Sequence, residues 1–491
     1  YAGEMVILAF EYLDGDTWNF GAGFDDVTLV SEPVHSVRRA YALTADGSGM
    51  MTSAAMNVDY ELSGVVINDG YEAITSFDVN VSKNGGDADV YSFEDVELGA
   101  GDGYKYVIPE LLNTGEEVSA YSVSVTNVNG DMEEDEEVSD NTASFAFQPV
   151  EVNPNKAVLV EEGTGTWCQW CPRGTVFLDE MSKRFGKNFV GIAVHNNDPM
   201  VLEEYDSAIG NLIAGYPSAV FNRETEVDPG EILEPSLTAM MEEPEVTIEI
   251  GGVETGDEFS ASIRTTFMQD NAAANYNVVV VLTEDDLTGD GAGWNQVNQY
   301  SGGQNGPMGG FELFSASVPS TFFPYSHVGR ALLSGFDGVD GVDGNFAAGD
   351  GISTKIDAFT MNSDWEKDNM HVVAFITNAA GVVVNAKSVK YNDAIAAGPT
   401  STVQIVDASL SHVYPNPASD YTNITLNVEV ASDVKLEVTD FMGKIISRKN
   451  LGFISGKETL PVDVSSFAAG NYIFKIVAGD RVNTQKVSII K

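Results

Sequence analysis

Apolar and polar positions alternate with a period of two along most of this chain. The alternation is clear in Ser76-Phe77-Asp78-Val79-Asn80-Val81, in Tyr104-Lys105-Tyr106-Val107-Ile108 and in Tyr121-Ser122-Val123-Ser124-Val125. Turns rich in Asn, Asp and Gly separate these segments, which read as half-buried strands. A β pattern returns in Val246-Thr247-Ile248-Glu249-Ile250, in Tyr276–Leu282 and in His371–Ile376. Between about 155 and 243 the period changes: Val176, Leu178, Met181 and Phe185 follow an approximately helical spacing, and Glu203–Ile213 is a second, acidic helical candidate. The pattern predicts a multidomain, mainly β protein, in which β-sandwiches flank one α/β domain. Two more strands, Val6–Tyr12 and Asp25–Val30, open the chain. The start itself, Tyr1-Ala2-Gly3-Glu4-Met5, has neither initiator methionine nor signal peptide and reads as a processed or truncated chain.

At 491 residues the length suits three to five domains, and a hydrophobic fraction of 43% is that of a folded protein. No apolar run approaches the 18 or so residues that span a bilayer. The net charge of −49, from 74 acidic and 25 basic residues, argues against nucleic acid and anionic membrane surfaces as partners. That charge is unevenly spread. Residues 412–491 carry nine Lys and Arg against eight Asp and Glu, whereas the preceding 411 carry 16 against 66. A nearly neutral module on an acidic body suggests a part with a different task.

The candidate chemistry sits in Glu161-Glu162-Gly163-Thr164-Gly165-Thr166-Trp167-Cys168-Gln169-Trp170-Cys171-Pro172-Arg173, which holds the only two cysteines. The apolar run Ala157–Val160 precedes it and the helical spacing follows. Strand, Cys-x-x-Cys, helix is the context of a thiol-disulfide motif. At a helix N-terminus the unpaired N–H groups and the dipole stabilise the thiolate of Cys168, and Cys171, one turn along, can close the bridge. Arg173 is the one nearby cation and Glu161 and Glu162 oppose ionisation, so the expected Cys168 pKa is only modestly depressed, to roughly 6–7.5. Two other readings stand beside the redox one. An inert staple closing so short a loop would stabilise the fold by only about 2 kcal/mol. Half a zinc site lacks its second pair, since the five histidines are scattered; His195, ending the apolar run from Phe189, reads as a strand-end histidine rather than a copper ligand.

This stretch resembles the thioredoxin superfamily, with tryptophan before the first cysteine and proline after the second. The resemblance implies that Cys168 attacks, Cys171 resolves and Glu162, six residues before Cys168, is the buried acid that shuttles protons. Strand alternation sets Glu162 on the side of Val158 and Val160. Gly215-Tyr216-Pro217-Ser218, leading into Ala219-Val220-Phe221, resembles the family's cis-proline loop, so Pro217 would position substrate, with Trp167, Trp170 and Tyr216 as its apolar rim. No cofactor beyond the redox-active disulfide is required.

The other modules carry resemblances of their own. Residues 1–34 resemble the tail of a jelly-roll, choice-of-anchor-like domain, and 47–150 a CARDB-type immunoglobulin-like sandwich, with Asp140-Asn141-Thr142-Ala143-Ser144 before its last strand. Its acidic run Asp131–Glu137 reads as a hairpin tip. The thioredoxin-like domain at 155–243, followed by a sandwich at 244–392 with Val281-Leu282-Thr283-Glu284 and Ser326-His327-Val328-Gly329-Arg330, resembles the Omp28-related family of Bacteroidetes. In the second of these, Asp337, Asp340 and Asp343 recur on a glycine-rich loop that could gather Ca²⁺, although the spacing does not fit an EF-hand. A linker at 396–411 leads to residues 412–491, where Val413-Tyr414-Pro415-Asn416-Pro417, Val438–Lys444, Ala469–Lys475 and Lys486–Lys491 resemble the type A sorting domain of the type IX secretion system.

The resemblances imply a protein secreted to the cell surface by the type IX machinery, with a sortase-like protease acting near 396–411. Extracellular thiol or disulfide proteins would be its substrates. An oxidase or isomerase role fits a compartment without cytoplasmic electrons. The competing expectation is a surface adhesion or binding protein that uses the thioredoxin-like fold as scaffold and its disulfide as a staple.

Overall fold

The computed structural model describes residues 51–491 apart from 69, 71, 131–140, 401–404, 407–410, 441–443 and 479–480. The jelly-roll tail expected at 1–34, the acidic run Asp131–Glu137 and half of the expected linker lie outside those residues. Within them, strands predominate, as the alternation predicts.

The first module is a sandwich. Its larger sheet runs Ser53–Ala55, Thr142–Val150, Ser119–Thr126, Phe77–Lys83, Ala88–Phe93 in spatial order, and Ser63–Ile67 pairs with Gly103–Val107 on the opposite side. Inward positions are aromatic or β-branched, which suits a pleated, buried face. Tyr121 stacks on Phe145 at 5.1 Å and Phe77 on Phe93 at 5.2 Å. The last module is a six-stranded sheet whose long strands Tyr421–Asp440 and Ile445–Asp463 pair along their length. Val434, Leu436, Val438, Phe474 and Ile476 form its core.

Between them lies one nine-stranded mixed sheet. Its strands, in chain order, are β1 (Val158–Thr164), β2 (Phe189–His195), β3 (Ser218–Phe221), β4 (Thr225–Val227), β5 (Asn271–Glu284), β6 (Val328–Leu332), β7 (Val339–Phe346), β8 (Met370–Asn378) and β9 (Val383–Lys390). The spatial order is β4-β3-β1-β2-β6-β5-β8-β9, with β7 also paired to β5. β1 and β2 are parallel, and β6 joins β2 in parallel at Ala193↔Val328 while pairing antiparallel with β5. The sheet therefore runs straight across the boundary expected at 243/244. The physical reason lies in β2, every residue of which is buried. Left as an edge it would present unpaired N–H and C=O groups along an apolar ribbon, and β6 covers that edge.

Helices α1 (Pro172–Phe185) and α3 (Leu233–Met240) cover one face of the parallel half, and α2 (Glu203–Ile209) covers the other. The acidic candidate at Glu203–Ile213 thus ends four residues early as a helix. α1 starts with Pro172 at its first position, where no N–H is needed, and stops at Gly186, whose φ of 50° suits glycine. Lys183 and Arg184 in the last turn complement the dipole. Leu178, Met181 and Phe185 are buried against Val158 and Val160, each contributing about 1.5–3 kcal/mol of apolar transfer. On the far half, Val246–Thr255, Glu258–Phe267, Gly351–Lys355 and Phe359–Thr360 form a four-stranded sheet that shares a core with β5 and β8. A short helix, α4 (Tyr391–Ala397), follows β9 and occupies the start of the expected linker.

α1 also fixes the first sandwich to the central sheet. Arg184 is fully buried, pairs with Glu180 at 2.8 Å and lies over the rings of Tyr60 and Phe147 at 5.6 and 5.2 Å. Tyr60 Oη donates to Glu180 Oε1 at 3.0 Å, so the seam between modules holds a buried, hydrogen-bonded ion pair.

Candidate active site around the cysteine pair

Cys168 and Cys171 are joined by a disulfide at the junction of β1 and α1, with Cα atoms 5.4 Å apart. Cys171 is the residue that caps α1, so the bridge sits on the helix N-terminus. Backbone turns hold it: Cys168 N donates to Gly165 O at 3.0 Å and Cys171 N to Cys168 O at 3.2 Å. Both residues are buried, Cys171 completely and Cys168 to within 5%. Trp167 and Trp170 flank them and stay 47% and 36% exposed.

The loop at Tyr216–Pro217 meets the motif through Trp167 and β1. The Tyr216–Pro217 bond is cis, and Pro217 leads into β3, which pairs with β1 at Gly163↔Ser218. The Tyr216 ring meets Trp167 edge-on at 5.6 Å, and its hydroxyl donates to Asp206 at 3.0 Å. Trp167 Nε1 donates to Asn196 O at 2.8 Å, which fixes the indole over the loop.

Glu161 and Glu162 face opposite sides of β1. Glu161 meets α2: Arg223 donates twice to it at 2.8 Å, and Tyr205 Oη donates at 2.5 Å. Its charge is neutralised away from the bridge. Glu162 points toward α1, 1% exposed, and its Oε1 has no hydrogen-bond partner. Burial pushes its carboxyl up to about 8, against smaller opposing effects of the Thr164 hydroxyl and the Arg173 charge. The sequence-based expectation that both acids oppose a Cys168 thiolate is therefore corrected: one is paired and the other is held neutral at pH 7. Gly174 makes the position available, because a Cβ there would lie 1.6 Å from Glu162 Oε1. Gly174 N in turn donates to Cys171 O at 3.0 Å, so the acid rests on the turn that begins with the second cysteine.

A segment that carries no motif in the sequence closes over the pair. Gln296 Nε2 donates to Cys168 O at 2.8 Å, Val297 N to Thr166 O at 2.8 Å and Gln299 N to Gln169 O at 2.9 Å. Tyr300 meets Trp170 edge-on at 5.6 Å, and Thr166 Oγ1 donates to Gly293 O at 2.9 Å. Its only sequence signal was a glycine-rich stretch broken by aromatics. Arg173, the expected helper cation, is engaged with Asp228 at 2.7 Å.

Among the described residues the metal candidates form no ligand cluster. His195 is buried at the end of β2 and hydrogen-bonds Asp198 at 2.7 Å. Asp337 precedes β7, and Asp343 lies within it opposite Asn275; the side chain of Asp340 is outside the described residues. Among the described residues no group of three or more His, Cys, Asp or Glu is arranged to hold a cation, and no helix is long and apolar enough to cross a membrane.

Comparisons with known proteins divide the chain in a similar way. Residues 203–394 match the family model of the outer membrane protein Omp28, and residues 412–491 that of the secretion system C-terminal sorting domain. The Omp28 match begins after both cysteines. A comparison with the curated proteins finds no match. Among solved structures, HBP35 of Porphyromonas gingivalis is 17% identical, covering 69% of this chain and all of that one, with a TM-score of 0.36. A domain of the outer membrane lipoprotein Omp28 from Porphyromonas gingivalis is 14% identical over 33% of this chain and 93% of its own, with a TM-score of 0.18. The CARDB domain of the PF1109 protein from Pyrococcus furiosus, solved with di-metal ions, is 18% identical over 25% of this chain and 99% of its own, at 0.18. At these scores the structural likenesses carry no argument, and the family matches stand alone. The chain thus combines an Omp28-type segment with the sorting domain of the type IX secretion route, and it is a secreted, cell-surface protein.

Proposed function

We propose that this surface protein performs thiol-disulfide exchange at Cys168–Cys171, as an oxidase or isomerase of extracellular proteins. One observation carries the reading: a buried carboxyl, Glu162, with one oxygen lacking a hydrogen-bond partner, is set against the first turn of the helix that starts at Cys171. Such a group is costly to keep, and acid–base work on Cys171 gives it a use. A substrate thiolate attacks Cys168 Sγ, the Cys168–Cys171 bond breaks, and Cys171 leaves as a thiolate. Protonated Glu162 gives it a proton. A second substrate thiolate then attacks the mixed disulfide, releasing oxidised substrate and the Cys168 thiolate. Two electrons pass from substrate to the pair, and an external disulfide restores it. Trp167, Trp170 and Tyr216 offer the apolar rim for the incoming chain, beside Pro217.

The test is alkylation. After mild reduction, iodoacetamide should find one fast thiol below the free-cysteine pKa of about 8.5. Cys168→Ser should abolish it, and Cys171→Ser should trap mixed disulfides. Thiols that react only in denaturant would end the exchange reading. A second reading is favoured by the segment over the bridge: Cys168 is 5% exposed, as befits a staple in a binding or adhesion protein. For the tail, a sortase-like protease acting within 396–411 should leave a surface form lacking residues 412–491, and an intact-chain mass from washed cells would exclude that step.

A further inference from the structure

The Glu162 carboxyl opens onto a cleft that the pairing of β1, β2 and β6 creates. Glu162 pairs with Ala193 across β1 and β2, and Ala193 N donates to His327 O at 2.8 Å, just before β6. Glu162 and His327 are therefore two strands apart, about 10 Å along the sheet. The cleft between them has a volume of about 90 Å³, room for several waters, since one needs only about 10–15 Å³ by this measure. Its lining includes Glu162, Thr164, Thr175 and His195 together with Phe311, Phe323 and Tyr325. His327 lines this cleft and also a wider groove of about 570 Å³, so this one residue borders both spaces.

His327 is held there by partners from three elements. Ser182 Oγ of α1 lies 3.4 Å from its Nε2, and Asp285 Oδ1, following β5, accepts its backbone N–H at 2.6 Å and lies 3.8 Å from Nδ1. The other Asp285 oxygen lies 3.4 Å from His371 Nδ1 of β8. The backbone is in the left-handed region, φ 61°, which a non-glycine residue adopts at a cost and which recurs at functional sites. The remaining charged groups that face the cleft are Lys105 from the first sandwich and Asp179, Glu180 and Lys183 from α1, and those of the wider groove are Glu61, Lys187, Lys390 and Asp393. Lys183 pairs with Asp179 at 2.9 Å, and Glu180 with Arg184 and Tyr60. The imidazoles of the path are His195, bound to Asp198, His327 and, in the wider groove, His371.

We infer that this cleft is the proton route of the exchange centre, and that His327, oriented by Asp285 and Ser182, passes protons between the cleft water and solvent. The inference rests on the exchange reading above. When Glu162 has protonated the departing Cys171 thiolate, its carboxylate must recover one proton from solvent. Histidine exchanges protons near neutral pH, and the route returns that proton through the cleft with no change in electron count. Burial of Glu162, which favours the neutral acid, agrees with this direction. His327 touches no substrate in this scheme and is a positioning and relay residue.

The test uses the full chain in its disulfide form, reacted with dithiothreitol by stopped flow from pH 6 to 9, in H₂O and D₂O. His327→Asn is the first variant, because asparagine tolerates the left-handed backbone and does not titrate. It should slow the proton uptake that follows Cys171 release, read with a pH indicator in the same mixing experiment, roughly tenfold, within the range of a lost general acid or base, and raise the solvent isotope effect of that phase. Added imidazole should restore much of the rate. Asp285→Asn, which keeps an acceptor for the His327 N–H, should shift the pH profile with a smaller loss. If the wild type oxidises dithiothreitol at no pH, the exchange reading falls and the route with it. If the wild type is active and Glu162→Gln slows it, while His327→Asn leaves rate, pH profile and isotope effect unchanged, the route alone is overturned.

Discussion

The two faces of β1 carry neighbouring glutamates in opposite electrostatic states. On the α2 face Glu161 is fully buried, yet it accepts two hydrogen bonds from Arg223 and one from Tyr205. Arg223 is itself stacked on Phe336 at 3.7 Å and Phe375 at 4.7 Å. On the α1 face Glu162 is as deeply buried and lacks a charge partner in contact with it. Buried polar groups in stable proteins are satisfied as a rule, and exceptions call for an explanation. Glu161 ties the strand to its helix, whereas Glu162 stores an ionisation that folding alone does not need. Adjacent positions in one sequence, two residues of one type, thus differ in how the cost of burial is met.

The largest effect should come from breaking the satisfied face. Arg223→Met leaves Glu161 buried and unpaired, and such a loss costs about 3–5 kcal/mol. Chemical denaturation should show it, and Glu161→Leu in the same chain should recover a large part. A loss under about 1 kcal/mol would mean that water reaches Glu161 and that the two faces do not differ as described.

The pH dependence of the other face is comparable in size over its full range. Glu162 has a folded pKa raised to about 8, above its unfolded value, so the native state keeps a proton that the unfolded chain gives up between about 4.5 and 8. Its contribution is fully present below pH 4.5, falls as pH rises and is lost above pH 8. The full swing is on the order of 5 kcal/mol. Glu162→Gln should remove that slope and leave the variant more stable than the wild type at pH 9, with little difference at pH 4. Parallel stability curves for the two proteins would show that Glu162 titrates normally.

Gly174→Ala should have the smallest effect. The new methyl would meet the Glu162 carboxyl at 1.6 Å, which forces the side chain or the helix to move. Overpacking of this kind costs about 1–3 kcal/mol, and Glu162→Ala in the same chain should reverse it. A thermal melt of Gly174→Ala matching the wild type would place the carboxyl elsewhere.

Local pattern told most of the strands and the helix after the cysteines. Each is set by near neighbours: Phe77, Val79 and Val81 alternate on one face, and Leu178, Met181 and Phe185 form one stripe. The Tyr216–Pro217 loop came from a family resemblance, and its cis bond only from the structure. The single sheet spanning 155–397 was not legible, because Ala193 meets Val328 only after a long intervening chain. The cover over the cysteines escaped for the same reason: Gln296 and Cys168 are 128 residues apart, and nothing in the glycine-rich segment around Gln296 marks it for that contact. The opposite states of Glu161 and Glu162 follow from strand alternation only in part. Alternation assigns each to a face, but Arg223, which neutralises one of them, comes from beyond β3.

The parallel join of β2 to β6 also has a consequence for how the molecule denatures. Because one hydrogen-bonded ladder passes from the cysteine half into the Omp28-type half, neither half has a surface of its own at that seam. Cutting the chain near residue 243 would bare an apolar strand that templates pairing with other chains. The strands from Val158–Thr164 to Val383–Lys390 thus share one sheet, and loss of β6 from it would leave the buried β2 beside the cysteine motif with an unpaired edge.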